Sequence, residues 1–113
     1  MMVMRVPQSD QAVLDIRKIA DYCLNPSHPR GRHKARVFRE ALGLERSDAS
    51  WLRGALLEAA RSSEAIQVAE DAWGTQWRLD ATIKRQGKSA VVRTIWIVRA
   101  GESVPRLVTC WVL

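Results

Sequence analysis

A chain of 113 residues with a 47% hydrophobic share has the material for one ordinary core, so residues 1–113 read as a single domain. Eighteen Lys and Arg against twelve Asp and Glu give a formal charge of +6, which makes a polyanion a fitting partner. Cys23 and Cys110 stand far apart with no CxxC and no Cys/His ligand spacing, so no metal and no cofactor is expected. No apolar run reaches membrane-spanning length and MMVMRVP has no signal-peptide core, so the expectation is a soluble cytoplasmic protein with no membrane partner.

The opening MMVMRVP reads as a short strand or a packed arm ended by Pro7. Ile16, Ile19, Ala20, Cys23 and Leu24 then recur at helical spacing, predicting a first helix over 11–24 that Asn25-Pro26 stops. After the turn SHPRG, a second helix is predicted over 32–42, with Val37, Phe38, Ala41 and Leu42 on one face and Gly43 as its cap. Ser47 or Asp48 caps a third helix, whose stripe of Trp51, Leu52, Ala55, Leu56 and Ala59 runs to about residue 62.

From there the period becomes two. AIQVAED (65–71) is a candidate strand, and Trp73 to Lys84 alternates apolar with polar residues, as a strand with one wet face does. RQGK is a hairpin turn. SAVVRTIWIVRA (89–100) is apolar on both faces and reads as a central strand, and VPRLVTCWVL closes the chain as a last one. Short turns between them require antiparallel pairing. The fold class is α+β, with three N-terminal helices packed on a four-stranded antiparallel sheet and an optional extra N-terminal strand.

The residues that break these patterns are the informative ones. By simple alternation Arg106, Val108, Cys110 and Val112 share one face of the last strand, and Leu107, Thr109, Trp111 and Leu113 the other. Arg93 and Thr94 stand mid-strand among bulky apolar residues, where polar groups need partners, and Arg106 and Thr109 repeat this next door. Thr94 and Thr109 lie at comparable distances from the turn at Gly101 and are expected near one another across the ladder. The stretch LNPSHPRGRHKARVF holds both histidines, His28 and His33, and no acid. Arg30, Arg32, Lys34, Arg36 and Arg39 crowd this region, at a helix start whose free N–H groups also attract anions. Lys84, Arg85, Lys88, Arg93, Arg99 and Arg106 form a second basic group, with Glu102 the only acid beyond residue 80. If the second helix packs near the last strands, the two groups face one cleft.

LNPSHPRGRHKARVFREALGL together with RTIWIVRAGESVPRLVTCWV resembles a family of small bacterial domains catalogued without an assigned function and found in toxin settings beside small partner proteins. The likeness spans almost the whole chain. It implies weight on Asn25, Pro26, His28, Gly31, Lys34, Phe38 and Gly43, then on Arg93, Thr94, Trp96, Pro105, Arg106 and Thr109. Phe38, Gly43 and Trp96 read as structural, and the ending TCWVL departs from the family's Thr-Ala-aromatic pattern. The plan of helices followed by an antiparallel sheet is also similar to the barnase/EndoU/colicin/RelE-type metal-independent RNases.

The resulting expectation is a toxin-like, metal-independent endoribonuclease whose partners are RNA and a small antitoxin or immunity-type protein. His28 or His33 would move protons, Lys34, Arg93 and Arg106 would hold phosphate, and Thr94 or Thr109 would donate to a phosphate oxygen. Arg30, Arg32, Arg36, Lys84, Arg85 and Lys88 would bind the nucleic acid, with Trp77 or Trp73 stacking a base. The alternative is a non-catalytic basic module that binds nucleic acid or an acidic partner. A DNA-binding helix–turn–helix ranks last, because the third helix has few residues suited to base edges.

Overall fold

The computed structural model describes residues 4–113, which fold as three helices on one face of a four-stranded antiparallel sheet. Helix α1 occupies residues 16–23, an α turn (Ile16–Lys18) widening into a π turn (Ile19–Cys23). Helix α2 is Arg32–Leu42 and α3 is Ala49–Ser62. The strands β1 (Ile66–Asp71), β2 (Gly74–Arg85), β3 (Lys88–Arg99) and β4 (Arg106–Val112) lie in sequence order. No helix among the described residues is long and apolar enough to cross a membrane.

The N-terminal strand expectation falls partly on residues 1–3, outside the described residues; residues 4–6 form no strand. Val6 is buried and the Met4 carbonyl accepts the Ala65 N–H at 2.8 Å, so this segment is a packed arm. The first helix begins five residues later than its periodicity predicts. Val13 donates to the Pro105 carbonyl (2.8 Å) and accepts from Leu107 (3.0 Å), a parallel bridge that holds the chain extended there. Asp15 then caps the helix by accepting the Arg17 N–H, and the Arg17 guanidinium holds its carboxyl down at about 2.

Helix α2 keeps its expected limits because both ends are set locally. Gly43 stops it in the left-handed region (φ 64°), donating to the Arg39 carbonyl. Ala35, Phe38 and Leu42 face the core. In α3, Leu52, Leu56, Ala59 and Ala60 are buried, whereas Trp51 lies outside with the Arg85 guanidinium 5.3 Å over its ring. Asp48 stands at the cap position but makes no cap bond. Its carboxylate accepts instead from the Glu45 N–H (2.9 Å) and from Arg85 (3.1 Å).

On the helix-facing side of the sheet, Trp77, Leu79, Ala81 and Ile83 of β2 lie opposite Trp96, Thr94, Val92 and Ala90 of β3. This layer meets Ile19, Phe38, Leu42, Leu52 and Leu56, and each large side chain buried fully there contributes about 2 kcal/mol. Only one face of β3 holds fully buried residues, Val92, Thr94 and Trp96; Ile95 and Ile97 on the other are half-buried and Val91 is exposed.

The register of β4 overturns the simple alternation expected for it. Ile95 pairs with Thr109 but Trp96 pairs with Leu107, leaving Val108 as a bulge residue. The extra residue shifts the phase: Leu107, Cys110 and Val112 share the face of Trp96, Thr94 and Val92, while Arg106, Thr109 and Trp111 share the face of Ile97, Ile95 and Arg93.

Candidate functional site

The loop 24–31 is a built object rather than a solvated connector. Asn25 accepts the Ser27 N–H through its side chain (3.0 Å) and donates to the Asp21 carbonyl (3.4 Å). His28 Nδ1 accepts the backbone N–H groups of both Arg30 and Gly31 at 3.0 Å, which puts the proton of the neutral ring on Nε2. Gly31 packs so closely on Tyr22 that a Cβ there would lie 2.1 Å from the Tyr22 carbonyl oxygen. The His28 ring meets the Tyr22 ring edge-on at 4.7 Å. Each contact fixes Tyr22 and the start of α2 relative to one another.

Lys34, on the first turn of α2, extends to the edge strand. Its Nζ donates to Thr109 Oγ1 at 2.8 Å and lies 5.1 Å from the Tyr22 ring centre and 5.3 Å from that of Trp111. Among the described residues no carboxylate pairs with it. The result is an ammonium positioned by two rings and a hydroxyl, with its charge uncompensated. His33, Lys34, Val37, Trp111 and Val112 line a cavity of about 450 Å³ beside it, and His33 is exposed there. A second cavity, on the Tyr22 and His28 side, includes Lys18, whose Nζ reaches the carbonyl of the bulge residue Val108 at 3.5 Å.

Behind this surface the two buried thiols sit 3.6 Å apart, Sγ to Sγ. The contact with Cys110, helped by Lys34 and Lys18, draws the Cys23 thiol down; the same contact and burial push Cys110 well up.

The remaining expected site residues separate into groups. Arg93 and Arg106 share the sheet face of Thr109 and Trp111, and Arg93 is directly opposite Trp111 in register. Each is held by a carboxylate, Arg93 by both oxygens of Asp80 (2.8 and 2.9 Å) and Arg106 by Glu102 (3.1 Å). The Asp80 contact lowers that carboxyl's pKa and raises that of Arg93. Thr94 points the other way: it is 0% exposed, donates to the Leu79 carbonyl (2.8 Å) and accepts the Trp96 indole N–H (2.9 Å). It is therefore a core residue and not a phosphate donor. It neighbours Thr109 along the ladder, but the two hydroxyls lie on opposite faces.

Arg30, Arg32 and Arg36 are exposed on α2 and its approach. Lys84 and Lys88 are exposed at the β2–β3 hairpin, six and seven residues from the level of Thr109, which is roughly 20 Å or more along a strand. Arg85 is committed to structure. It donates to the Leu42 and Gly43 carbonyls (3.4 and 3.2 Å) and pairs with Asp48, so it holds the end of α2 and is not available to RNA. Trp77 is 6% exposed and cannot stack a base; its indole N–H has no partner among the described residues. Trp73, at the β1–β2 turn, is 80% exposed.

Tyr22 and Trp111 were not expected at the site. Tyr22 lies one position off the apolar stripe of α1, and the bulge at Val108 disguises the direction of Trp111.

A family model matches residues 5–113, and its description is Domain of unknown function (DUF6883). The chain belongs to this family. The DUF6883 match covers both blocks that carry the resemblance, from the LNPSHPRG loop to the last strand. Among curated proteins, none matches the chain. Among solved structures, one chain of the contact-dependent growth inhibition toxin–immunity protein complex from Klebsiella pneumoniae 342 superposes with a TM-score of 0.71. The match has 16% identity and covers 89% of this chain and 99% of that one, a likeness of fold.

Proposed function

We propose that this DUF6883 domain is the toxic effector of a bacterial growth-inhibition system and cuts RNA without a metal ion. The observation that carries the reading is Lys34, an unpaired ammonium held 2.8 Å from a threonine hydroxyl between two aromatic rings. A fixed cation next to an O–H donor suits two non-bridging oxygens of a phosphodiester. Both would strengthen their hold as charge grows in the phosphorane.

In the reaction the RNA 2′-oxygen bonds to phosphorus while the bond to the 5′-oxygen breaks, leaving a 2′,3′-cyclic phosphate and a 5′-hydroxyl. One proton leaves the 2′-hydroxyl and one reaches the 5′-oxygen. His33 is the imidazole placed for this transfer, exposed in the cavity shared with Lys34 and Trp111. His28, its Nδ1 engaged by two backbone N–H groups, serves as a donor and organises the loop. Trp111 offers a ring face for a base, and Arg93 and Arg106, each paired with a carboxylate, share the adjoining sheet face.

The toxin assignment draws on the fold shared with the growth-inhibition complex and on the charge of +6. A protein that covers an RNA-binding surface must be complementary to it, and so acidic. The basic chain therefore fits the toxin, with a small acidic immunity-type protein as its partner.

Inducible expression in bacteria tests this. Wild-type protein should arrest growth and fragment cellular RNA, and Lys34→Met at equal protein level should do neither. Arrest that persists in Lys34→Met contradicts the site. Intact RNA during arrest would leave the basic-module alternative.

A further inference from the structure

The first turn of α2 separates two cavities, and His33 lines both. The larger, about 620 Å³, lies between α2 and residues 44–47. Its floor is apolar, from Leu24, Pro26, Ala35 and Leu44. Arg32, Arg36 and Arg39 enter it from α2 at spacing i, i+4, i+7, and so from one stripe of the helix. All three are exposed, and among the described residues none pairs with a carboxylate. Arg46 comes from the facing segment, already tied to Asp21 at 2.6 Å, and Glu45 is the one carboxylate residue in the lining.

Three like charges on one helical stripe disfavour the helix, and Glu40, four positions after Arg36, and Glu45 in the lining offset them only in part, since neither forms an ion pair with them. A bound anion would offset them further. An inorganic anion, however, has no use for an apolar floor, and the volume falls within the range of small-molecule sites. A planar base resting on Leu24, Pro26 and Leu44, with its phosphate on the arginines, uses both properties. His33 stands on the wall between this space and the surface at Lys34, so the two are adjacent.

We infer that the arginine-lined cavity is a nucleotide subsite. On the reading that Lys34 holds the phosphate to be cut, an adjacent nucleotide of the same strand lies here, its phosphate on Arg36 and Arg39. A base so placed is unstacked, so the substrate is single-stranded or looped RNA.

The purified protein is titrated with inorganic phosphate, a nucleoside monophosphate, a short 2′-O-methyl oligonucleotide that cannot be cleaved, and polyglutamate. Affinity should rise from phosphate to monophosphate to oligonucleotide, with polyglutamate weak. Arg36→Ala with Arg39→Ala should weaken both nucleotide ligands by about tenfold or more, the effect of losing charge-assisted hydrogen bonds. Arg61→Ala, which removes a like charge from α3, should change them by less than about twofold, as a distant screened charge does. Unchanged affinity in the arginine pair, phosphate binding as tightly as the monophosphate, or polyglutamate competing equally with the oligonucleotide overturns the subsite. RNA cutting that survives while the arginine pair alters neither affinity nor rate removes the subsite alone. Nucleotide binding that depends on the arginines in a protein that never cuts RNA keeps the subsite and removes the proposed catalysis.

Discussion

Two hydroxyls in neighbouring strands have opposite duties. Thr109 meets Lys34 at the surface, whereas Thr94 lies in the core and satisfies two groups, accepting the Trp96 indole N–H and donating to the Leu79 carbonyl. Thr94→Val retains the shape and removes both bonds, leaving a buried indole N–H unsatisfied, so it should cost about 2 kcal/mol of stability. Chemical denaturation checks this as a lower midpoint at unchanged slope. A core polar contact also explains why a threonine stands at this position, which from the pattern alone suited a site residue equally well. Lys34 instead joins α2 to β4 through Thr109 and lies beside the Tyr22 and Trp111 rings, with no carboxylate among the described residues pairing with it.

The elements are held together by contacts that span the chain. Arg85 closes the end of α2 by donating to the Leu42 and Gly43 carbonyls while pairing with Asp48 before α3. With its side chain only 14% exposed, Arg85→Ala should destabilise the fold by about 2 kcal/mol, since charge-assisted bonds of this kind are worth that much, and on the proposed reading it should leave RNA affinity unchanged. Thermal unfolding beside an RNA-binding titration measures both. Weakened RNA affinity with unchanged stability would return Arg85 to the binding surface.

Elements whose ends are determined locally were legible from sequence. Gly43 ends α2, Gly87 sits in the β2–β3 turn, and alternation in β2 names its buried face correctly. What was not legible depends on distant partners. The late start of α1 is caused by the bridge from Val13 to Arg106, a residue at the far end of the chain. The bulge at Val108 leaves smooth alternation in the letters while it reverses the faces of everything after it. The expected cleft depended on α2 packing near the last strands, and Lys34 meets Thr109 there. The aromatic walls around it, Tyr22 and Trp111, carried no signal beyond being an off-stripe tyrosine and a terminal tryptophan.

At the scale of the whole molecule, one helix carries four cations that no carboxylate among the described residues holds. The carboxylates hold Arg17, Arg46, Arg61, Arg85, Arg93 and Arg106 in ion pairs, whereas Lys34 and the stripe of Arg32, Arg36 and Arg39 are without such partners among the described residues. These four flank the two cavities that open beside α2, while other cations without a carboxylate partner among the described residues, such as Arg78, Lys84, Lys88 and Arg99, lie elsewhere on the surface. If these four cations each neutralise one phosphate, the affinity for single-stranded RNA should fall with salt at a log–log slope of about −3.

The most direct test is the rate at which purified protein cuts a single-stranded RNA in a metal chelator, compared between wild type and Lys34→Met at matched folded fraction. The loss of one preorganised donor to a charged transition state should slow cleavage by about 100-fold or more, with a cyclic-phosphate product from the wild type. Equal rates in the two proteins, or no cleavage by the wild type, would contradict the assignment of Lys34 as the phosphate-holding centre of an RNase.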